Sequence, residues 1–155
     1  MPILRQGLKS KGNTMAVPSV SFEFFPPKNL EASFRLWDTV QVLAPLKPRF
    51  VSVTYGAGGT TRDLTRDSVA TLHKHSGLPV AAHLTCVKAT KEETLEIAHG
   101  FAEAGVTETV ALRGDPPNEE GKLAVRPGGF APAVPLVCAL KQTRQFNLRV
   151  TTHPH

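Results

Sequence analysis

One carboxylate set among aromatic residues is the first candidate for acid–base chemistry in this sequence. Glu23 lies within Ser21-Phe-Glu-Phe-Phe25, and in a β-strand Ser21, Glu23 and Phe25 share one face. A carboxyl group among phenylalanine side chains is costly to ionise, which favours a general acid that keeps its proton near neutral pH. The alternative is an ordinary position at a sheet edge, with the carboxylate reaching water or a lysine.

A glycine-rich segment, Gly56–Thr61, could bring the backbone close to a ligand. It lacks the lysine of the Walker phosphate loop, and Thr61 stands where the dinucleotide-binding fingerprint requires its third glycine. Both phosphate-binding motifs are therefore excluded. Two interpretations remain, a flexible strand-to-helix turn and a close approach of the backbone to a flat ligand.

Two further polar positions could bind a ligand. His83 lies among apolar and small residues, where a lone histidine is more often a satisfied core residue than a ligand. No Cys, His or acidic residue stands at metal-ligand spacing from it, so we expect no metal site. Arg113-Gly114-Asp115 holds an arginine and an aspartate apart by one glycine. The pair could bind a polar ring edge or a phosphate, or it could form a salt bridge that closes a turn.

The elements that must position these residues alternate along the chain. Segments rich in Val, Phe and Thr and bounded by Gly or Pro predict five strands, Ser19–Phe25, Phe50–Tyr55, Val80–Cys86, Thr109–Arg113 and Leu148–Thr152. Apolar stripes at helical spacing predict four helices, Ala32–Leu43, Leu64–His75, one from a capping box at Thr90 and Glu93 to Gly105, and Leu136–Arg144.

Alternation of strands and helices predicts the α/β class, with a parallel sheet covered by helices. A doubly wound sheet and part of a (β/α)8 TIM barrel both satisfy the pattern. A full barrel needs about 250 residues, and five of its eight strands are the most that this sequence of 155 residues can supply. In both folds the functional site lies at the carboxyl ends of the strands, where the polar residues above are concentrated.

Composition narrows the class of protein. The formal net charge of +5 is spread along the chain without a basic stripe or a nucleic-acid-binding motif, so we expect no nucleic-acid partner. The two cysteines, Cys86 and Cys138, form no CxxC pair and suit a reducing cytoplasm. No apolar run is long enough for a membrane span. Residues 1–17 carry no secretory signal and are expected to form a loose arm, followed by one domain over residues 18–155.

Taken together and in order, four motifs resemble the bacterial type of methylenetetrahydrofolate reductase. The spacing between them agrees with that family, and a match of four long motifs in the right order is highly specific. They are Ser21-Phe-Glu-Phe-Phe-Pro-Pro-Lys28, Phe50-Val-Ser-Val-Thr-Tyr-Gly-Ala57, Ala82-His-Leu-Thr-Cys86 and Val110-Ala-Leu-Arg-Gly-Asp115.

The resemblance implies a (β/α)8 barrel, here truncated after about five βα units. It also implies reduction of 5,10-methylenetetrahydrofolate to 5-methyltetrahydrofolate, an oxidoreductase activity of one-carbon metabolism that serves methionine biosynthesis. The implied cofactor is FAD, with NADH or NADPH as the electron donor. The implied partners are the folate substrate and either further copies of the same chain, as in the family, or a complementing chain. The alternative is a truncated, inactive fragment, or a flavin-binding half-barrel that needs a partner chain.

The resemblance also assigns roles to individual residues. Glu23 matches the catalytic acid that protonates the folate, and Thr54 matches a position that contacts the nicotinamide. Asp115 matches an acid that lies near the flavin ring and also touches the folate substrate. The positions that match FAD contacts are Tyr55, Ala57, His83, Arg113, Gly114 and Ala131.

The match weakens after Ala131. The segment Pro132–Val137 brings two prolines into a stretch where the family usually has an aspartate. At the end of the fifth predicted strand, His153 stands where the family has a tyrosine that contacts the flavin.

Overall fold

Five parallel strands and four α-helices alternate along the chain in a computed structural model, which describes residues 19–55, 61–86, 89–114, 127–130 and 133–150. The strands are β1 Phe22–Phe24, β2 Val51–Val53, β3 Val80–Thr85, β4 Glu108–Leu112 and β5 Asn147–Val150. The helices are α1 Leu30–Leu43, α2 Arg62–His75, α3 Lys91–Glu103 and α4 Ala133–Thr143, and a short 3-10 helix, Ala44–Leu46, follows α1.

The strands pair in the order β1-β2-β3-β4-β5, and every pair is parallel. A strand–helix–strand crossover is right-handed in nearly all proteins, so sequential order places successive helices on the same face of the sheet. A doubly wound sheet instead needs a reversal of strand order, which sends helices to both faces. The predicted α/β class with a parallel sheet is confirmed, and the doubly wound alternative is excluded for these five strands.

One face of the sheet forms the hydrophobic core with the helices. Side chains at alternate positions of the three central strands, such as Val53, Leu84 and Ala111, are fully buried there. They pack against apolar helix residues that include Val40, Val69, Phe101, Leu136 and Leu140. The opposite face takes the residues between them, and it carries the polar Ser52 and His83 beside apolar residues such as Val110. Strand alternation therefore separates a packing face from a chemically functional face.

Local signals in the sequence fix the helix ends. Thr90 and Glu93 form the predicted capping box, since the Thr90 hydroxyl accepts from the Glu93 N–H at 3.1 Å and the Glu93 carboxylate accepts from the Thr90 N–H at 2.8 Å. Gly105 follows α3 with a φ of +83°, a left-handed conformation that favours glycine. The predicted end at Gly105 is thus confirmed.

Most differences from the predicted boundaries are small. β1 covers three residues rather than the predicted Ser19–Phe25, because only these three align with β2. α4 begins at Ala133, three residues before its predicted start at Leu136. Pro135 lies in its first turn, where a missing N–H removes no helical hydrogen bond, so this proline does not delay the helix.

The sheet is curled toward its polar face. The Arg149 guanidinium carbon lies 4.1 Å from the centroid of the Phe50 ring. In the sheet Arg149 pairs with Val110, and Val110 pairs with His83. Continued by one residue, the β2–β3 register places His83 opposite Thr54. Thr54 is four positions after Phe50 in the same segment. In a flat sheet, three strand spacings and four residues would separate the two Cα atoms by about 19 Å, more than the two side chains span. The polar face is therefore concave.

Several sequence expectations lie outside the described residues. These are the loose arm at 1–17, most of the glycine-rich segment after β2, and the departures from the family pattern at 131–132 and 151–155. Among the residues that the structure describes, no helix is long and apolar enough to cross a membrane.

Candidate functional site

The concave face of the sheet encloses a cavity of about 500 Å³. The polar residues that line it come from four different strands and from the residue before β1. The curvature of the sheet therefore brings these side chains together. The polar and charged residues are Ser21, Glu23, Ser52, His83 and Arg149. A second cavity of about 370 Å³ lies between α1 and α2 on the outer side of the molecule and is lined mainly by apolar residues. The concave face is the candidate functional site because only it combines a carboxylate, an imidazole and a guanidinium.

Three side chains on neighbouring strands meet at one nitrogen atom. His83 Nε2 lies 3.2 Å from Glu23 Oε2 and 3.3 Å from Ser52 Oγ. The His83 ring is buried, whereas the Glu23 side chain is 58% exposed. Burial lowers the pKa of His83 below its ordinary value, and the negative charge of Glu23 opposes that shift only in part. The imidazole is therefore neutral near pH 7, and its contact with Glu23 is not an ion pair.

The phenylalanines next to Glu23 in sequence do not surround its carboxyl group. Phe22 and Phe24 pack against the core on the other face of the sheet, and Phe25 is 80% exposed. The prediction was wrong in this premise for two reasons. Phe22 and Phe24 point to the other face of the sheet, and Phe25, which was expected to share the face of Glu23, lies beyond the end of β1. The group that Glu23 meets is His83, on a strand two positions across the sheet.

At the carboxyl end of β2, Thr54 and Tyr55 are half-buried. The Thr54 N–H donates to the Phe24 carbonyl at 2.8 Å, and its carbonyl accepts from the Thr65 hydroxyl of α2 at 3.0 Å. The strand end is thus fixed from both sides. Within the described residues, the buried Tyr55 hydroxyl and the buried Arg62 Nε make no hydrogen bond of good geometry, although the Arg62 side chain is close enough to interact with Tyr55. Burial raises the pKa of Tyr55, partly offset by the positive charge of Arg62.

Arg113 and Gly114 follow β4 at the same edge of the sheet. The Arg113 side chain is exposed, and no ion pair to it is present within the described ranges. Its carbonyl accepts a weak hydrogen bond from the buried Cys86 thiol, with the two atoms 3.5 Å apart. Gly114 adopts a φ of +85°, so the turn after β4 uses the left-handed conformation that glycine permits. The exposed guanidinium is therefore available to an anionic or polar ligand.

The structure thus places six of the predicted site residues at the concave face or at the carboxyl edge of the sheet. These are Glu23, Thr54, Tyr55, His83, Arg113 and Gly114. The other three, Ala57, Asp115 and Ala131, lie outside the described residues. Within the described ranges, no three His, Cys, Asp or Glu side chains come close enough together to hold a metal ion.

Sequence reasoning missed two residues of this face, Ser52 and Arg149. Ser52 stands two residues after Phe50 in a predicted strand, and its alternation with Val51 and Val53 was the available signal. Arg149 forms an ion pair with Glu108, with 2.8 Å between the Arg149 Nη2 and Glu108 Oε2 atoms. No local pattern marks this pair, because it depends on the pairing of β4 with β5.

Comparison with known proteins shows which family this chain is similar to. The family model described as methylenetetrahydrofolate reductase matches residues 8–155. A 5,10-methylenetetrahydrofolate reductase from Pectobacterium carotovorum is 43% identical over 136 residues, which is 88% of this chain and 44% of that protein. The Escherichia coli protein of the same name is 42% identical with the same coverage. Methylenetetrahydrofolate reductase (NADH) 1 from Arabidopsis thaliana is 34% identical over 86% of this chain and 23% of its own length. The chain therefore spans less than half the length of these relatives.

Proposed function

The chain belongs to the methylenetetrahydrofolate reductase family, and from this we propose that it contributes to the reduction of 5,10-methylenetetrahydrofolate to 5-methyltetrahydrofolate with FAD and NAD(P)H. The observation that carries the proposal is Glu23, a carboxyl group that opens onto the concave cavity while His83 contacts it from behind. An acid in this position can reach a substrate in the cavity and transfer a proton to it.

We propose that the five strands form part of a (β/α)8 barrel. Their sequential parallel order, the helices on one face and the curl toward the opposite face support this architecture. In such a barrel the concave face becomes the interior, and the site lies at the carboxyl ends of the strands. Thr54, Tyr55, Arg113 and Gly114 lie at that end in this chain.

In the proposed reaction, Glu23 protonates the folate and His83 positions its carboxyl group. The buried His83 ring has little freedom to move, so it fixes the side of Glu23 that faces the sheet. The remaining carboxyl oxygen faces the cavity. Asp115 is proposed to contact the folate as well, by its match to the family position.

The residues at the carboxyl edge fit a bound flavin. In the described part of the chain, the buried Tyr55 hydroxyl makes no hydrogen bond of good geometry, and the Arg113 guanidinium is exposed and outside any ion pair. A ligand with both polar ring atoms and phosphates would satisfy them. We assign Tyr55, Ala57, His83, Arg113, Gly114, Asp115 and Ala131 to FAD, and Thr54 to the nicotinamide. FAD would supply the hydride chemistry, while the protein orients it and tunes its reactivity.

Titration of the purified chain with FAD tests this assignment. Stoichiometric binding with a perturbed absorption spectrum and quenched fluorescence is expected. Tyr55→Phe removes only the buried hydroxyl and should weaken binding about 3- to 10-fold, the effect of one net hydrogen bond. Arg113→Ala should weaken it more, and Arg49→Ala, an exposed arginine before β2, is the matched control. FAD binding that is equally strong in all three variants would contradict the assignment.

A second candidate is a half-barrel that acts only with a complementing chain. β1 and β5 each have a single neighbour in the five-stranded sheet, so their outer edges can accept further strands. In that case FAD would bind weakly to this chain alone. Binding would become tight once a chain with the remaining strands is added, and activity would appear only in the mixture.

A further inference from the structure

Ser52 contributes a buried hydroxyl group whose only hydrogen-bond partner in the described structure is His83. Ser52 is 3% exposed, and its Oγ atom lies 3.3 Å from His83 Nε2. A buried hydroxyl hydrogen without an acceptor is unfavourable, since the group loses its bond to water and gains none in return. Nε2 is the acceptor within its reach.

The single Nε2 atom cannot be a hydrogen-bond donor to Glu23 and an acceptor for Ser52 at the same time. It carries either one hydrogen or one lone pair. If Ser52 donates to the lone pair, the ring hydrogen resides on Nδ1, and Glu23 Oε2 faces an unprotonated nitrogen at 3.2 Å. A carboxylate oxygen opposite that lone pair makes no hydrogen bond to Nε2, whereas a protonated carboxyl group can donate to it. If Nε2 instead carries the hydrogen, it can donate to a Glu23 carboxylate.

We propose that Ser52 is a positioning residue that holds His83 in its Nδ1–H tautomer, so that Nε2 acts as a hydrogen-bond acceptor toward the cavity. The proposal rests on the proposed role of Glu23 as the acid, because an acceptor at Nε2 can orient the carboxyl form of Glu23 by accepting its hydrogen. Four buried side-chain atoms of the described structure lack hydrogen-bond partners, and neither nitrogen of His83 is among them. The ring is thus compatible with a hydrogen on Nδ1.

Other charged groups near the cluster are few. Arg149 of β5 also lines the cavity, and its positive charge is offset by Glu108 of β4 at 2.8 Å. The helices pack against the opposite face of the sheet, so none of their charged side chains faces the cluster. With Arg149 paired, Glu23 and Ser52 are the groups of the described structure that contact Nε2, so they set the tautomer of His83 there.

Imidazole ¹⁵N NMR on the labelled full chain tests the proposal without folate or cofactor. Magic-angle spinning suits the measurement because it does not require a monomer. The His83 signals are assigned by their loss in His83→Gln. The Nδ1–H tautomer is expected to dominate in the wild type, and Ser52→Ala should shift the ratio toward Nε2–H by about fivefold, the effect of one net hydrogen bond.

Two further variants separate positioning from a general effect on folding. Ser52→Thr keeps a hydroxyl group on a strand and should restore the wild-type ratio. Thr109→Val removes a buried strand hydroxyl that has no hydrogen-bond partner among the described residues, so it should leave the His83 signals unchanged. A dominant Nε2–H tautomer in the wild type, or a ratio that Ser52→Ala does not change, would overturn the proposal. Failure of FAD to bind would instead count against the proposed function alone, because the tautomer is measured without ligand.

Discussion

At the scale of single residues, the site depends on how one imidazole nitrogen is shared. His83 Nε2 contacts Glu23 and Ser52, which come from the two strands on one side of β3. Burial keeps the ring neutral, so Glu23 gains no permanent positive partner from it. The chemistry of Glu23 is therefore set by hydrogen bonding rather than by an ion pair.

Replacing Glu23 by Gln tests its role as the acid. Gln keeps the size and can still hydrogen-bond His83, but it cannot donate a proton to the substrate. In the assembled enzyme, Glu23→Gln should abolish folate turnover and leave reduction of the bound flavin by NAD(P)H intact, as measured by stopped-flow absorbance. Equal loss of both half-reactions would argue against the general-acid role and indicate a folding defect.

His83 should make stability depend on pH. Its pKa is lowered in the folded chain, so the unfolded chain binds the proton more readily. The stability that the neutral ring provides is fully present above its ordinary pKa of about 6.5 and is lost as pH falls below it, by at most about 1.4 kcal/mol per pH unit.

Denaturant unfolding between pH 7.5 and 5 measures this effect. His83→Gln should flatten the decline in the free energy of unfolding as pH falls. His99→Gln, which removes an exposed histidine of α3, should leave the slope as it is in the wild type. If the free energies of unfolding of His83→Gln and the wild type fell in parallel, the pH dependence would not come from His83.

At the scale of elements, helix ends are determined by short-range signals. Both hydrogen bonds of the capping box at Thr90 and Glu93 are formed. The Thr90 carbonyl also accepts from the Thr94 hydroxyl at 2.7 Å, and the Lys91 N–H donates to the Gly128 carbonyl at 3.1 Å. The start of α3 is therefore fixed by its own residues and by the segment that precedes α4.

Removal of the cap should destabilise the chain by a defined amount. Thr90→Ala leaves the Glu93 N–H without its side-chain acceptor, which should lower the free energy of unfolding by about 1 kcal/mol. Thr39→Ala is the matched control, since the Thr39 hydroxyl donates only to the Arg35 carbonyl within exposed α1. Its effect should stay within about 0.5 kcal/mol. Urea unfolding at matched protein concentration compares them, and equal effects would exclude a specific capping contribution.

At the scale of the whole molecule, the sheet has two open edges and a concave polar face. β1 and β5 each pair on one side only within the described structure. Large apolar side chains are also exposed near β1, among them Phe25 at 80% and Leu30 at 72%. Unpaired strand edges and exposed apolar residues both favour association with another chain.

The 155-residue chain on its own should therefore self-associate. Sedimentation velocity over a concentration range should show species larger than a monomer, and a chain that supplies further strands should convert them to a defined complex. A monomer that unfolds cooperatively at every concentration tested would show that the edges and the concave face are closed in solution.

The sequence by itself determined the alternation of strands and helices, the capping box, the glycine after α3 and the family. Those features depend on residues a few positions apart or on linear motifs, which a single chain displays directly. Tertiary structure alone decided the strand order, the curl of the sheet and the meeting of Ser52 with His83, which are 31 positions apart in sequence. It also decided the partner of Glu23, which is His83 two strands away rather than the phenylalanines beside it in sequence. Contacts of this kind depend on which strands pair and in which register, and that is fixed by the packing of the whole sheet rather than by local propensity.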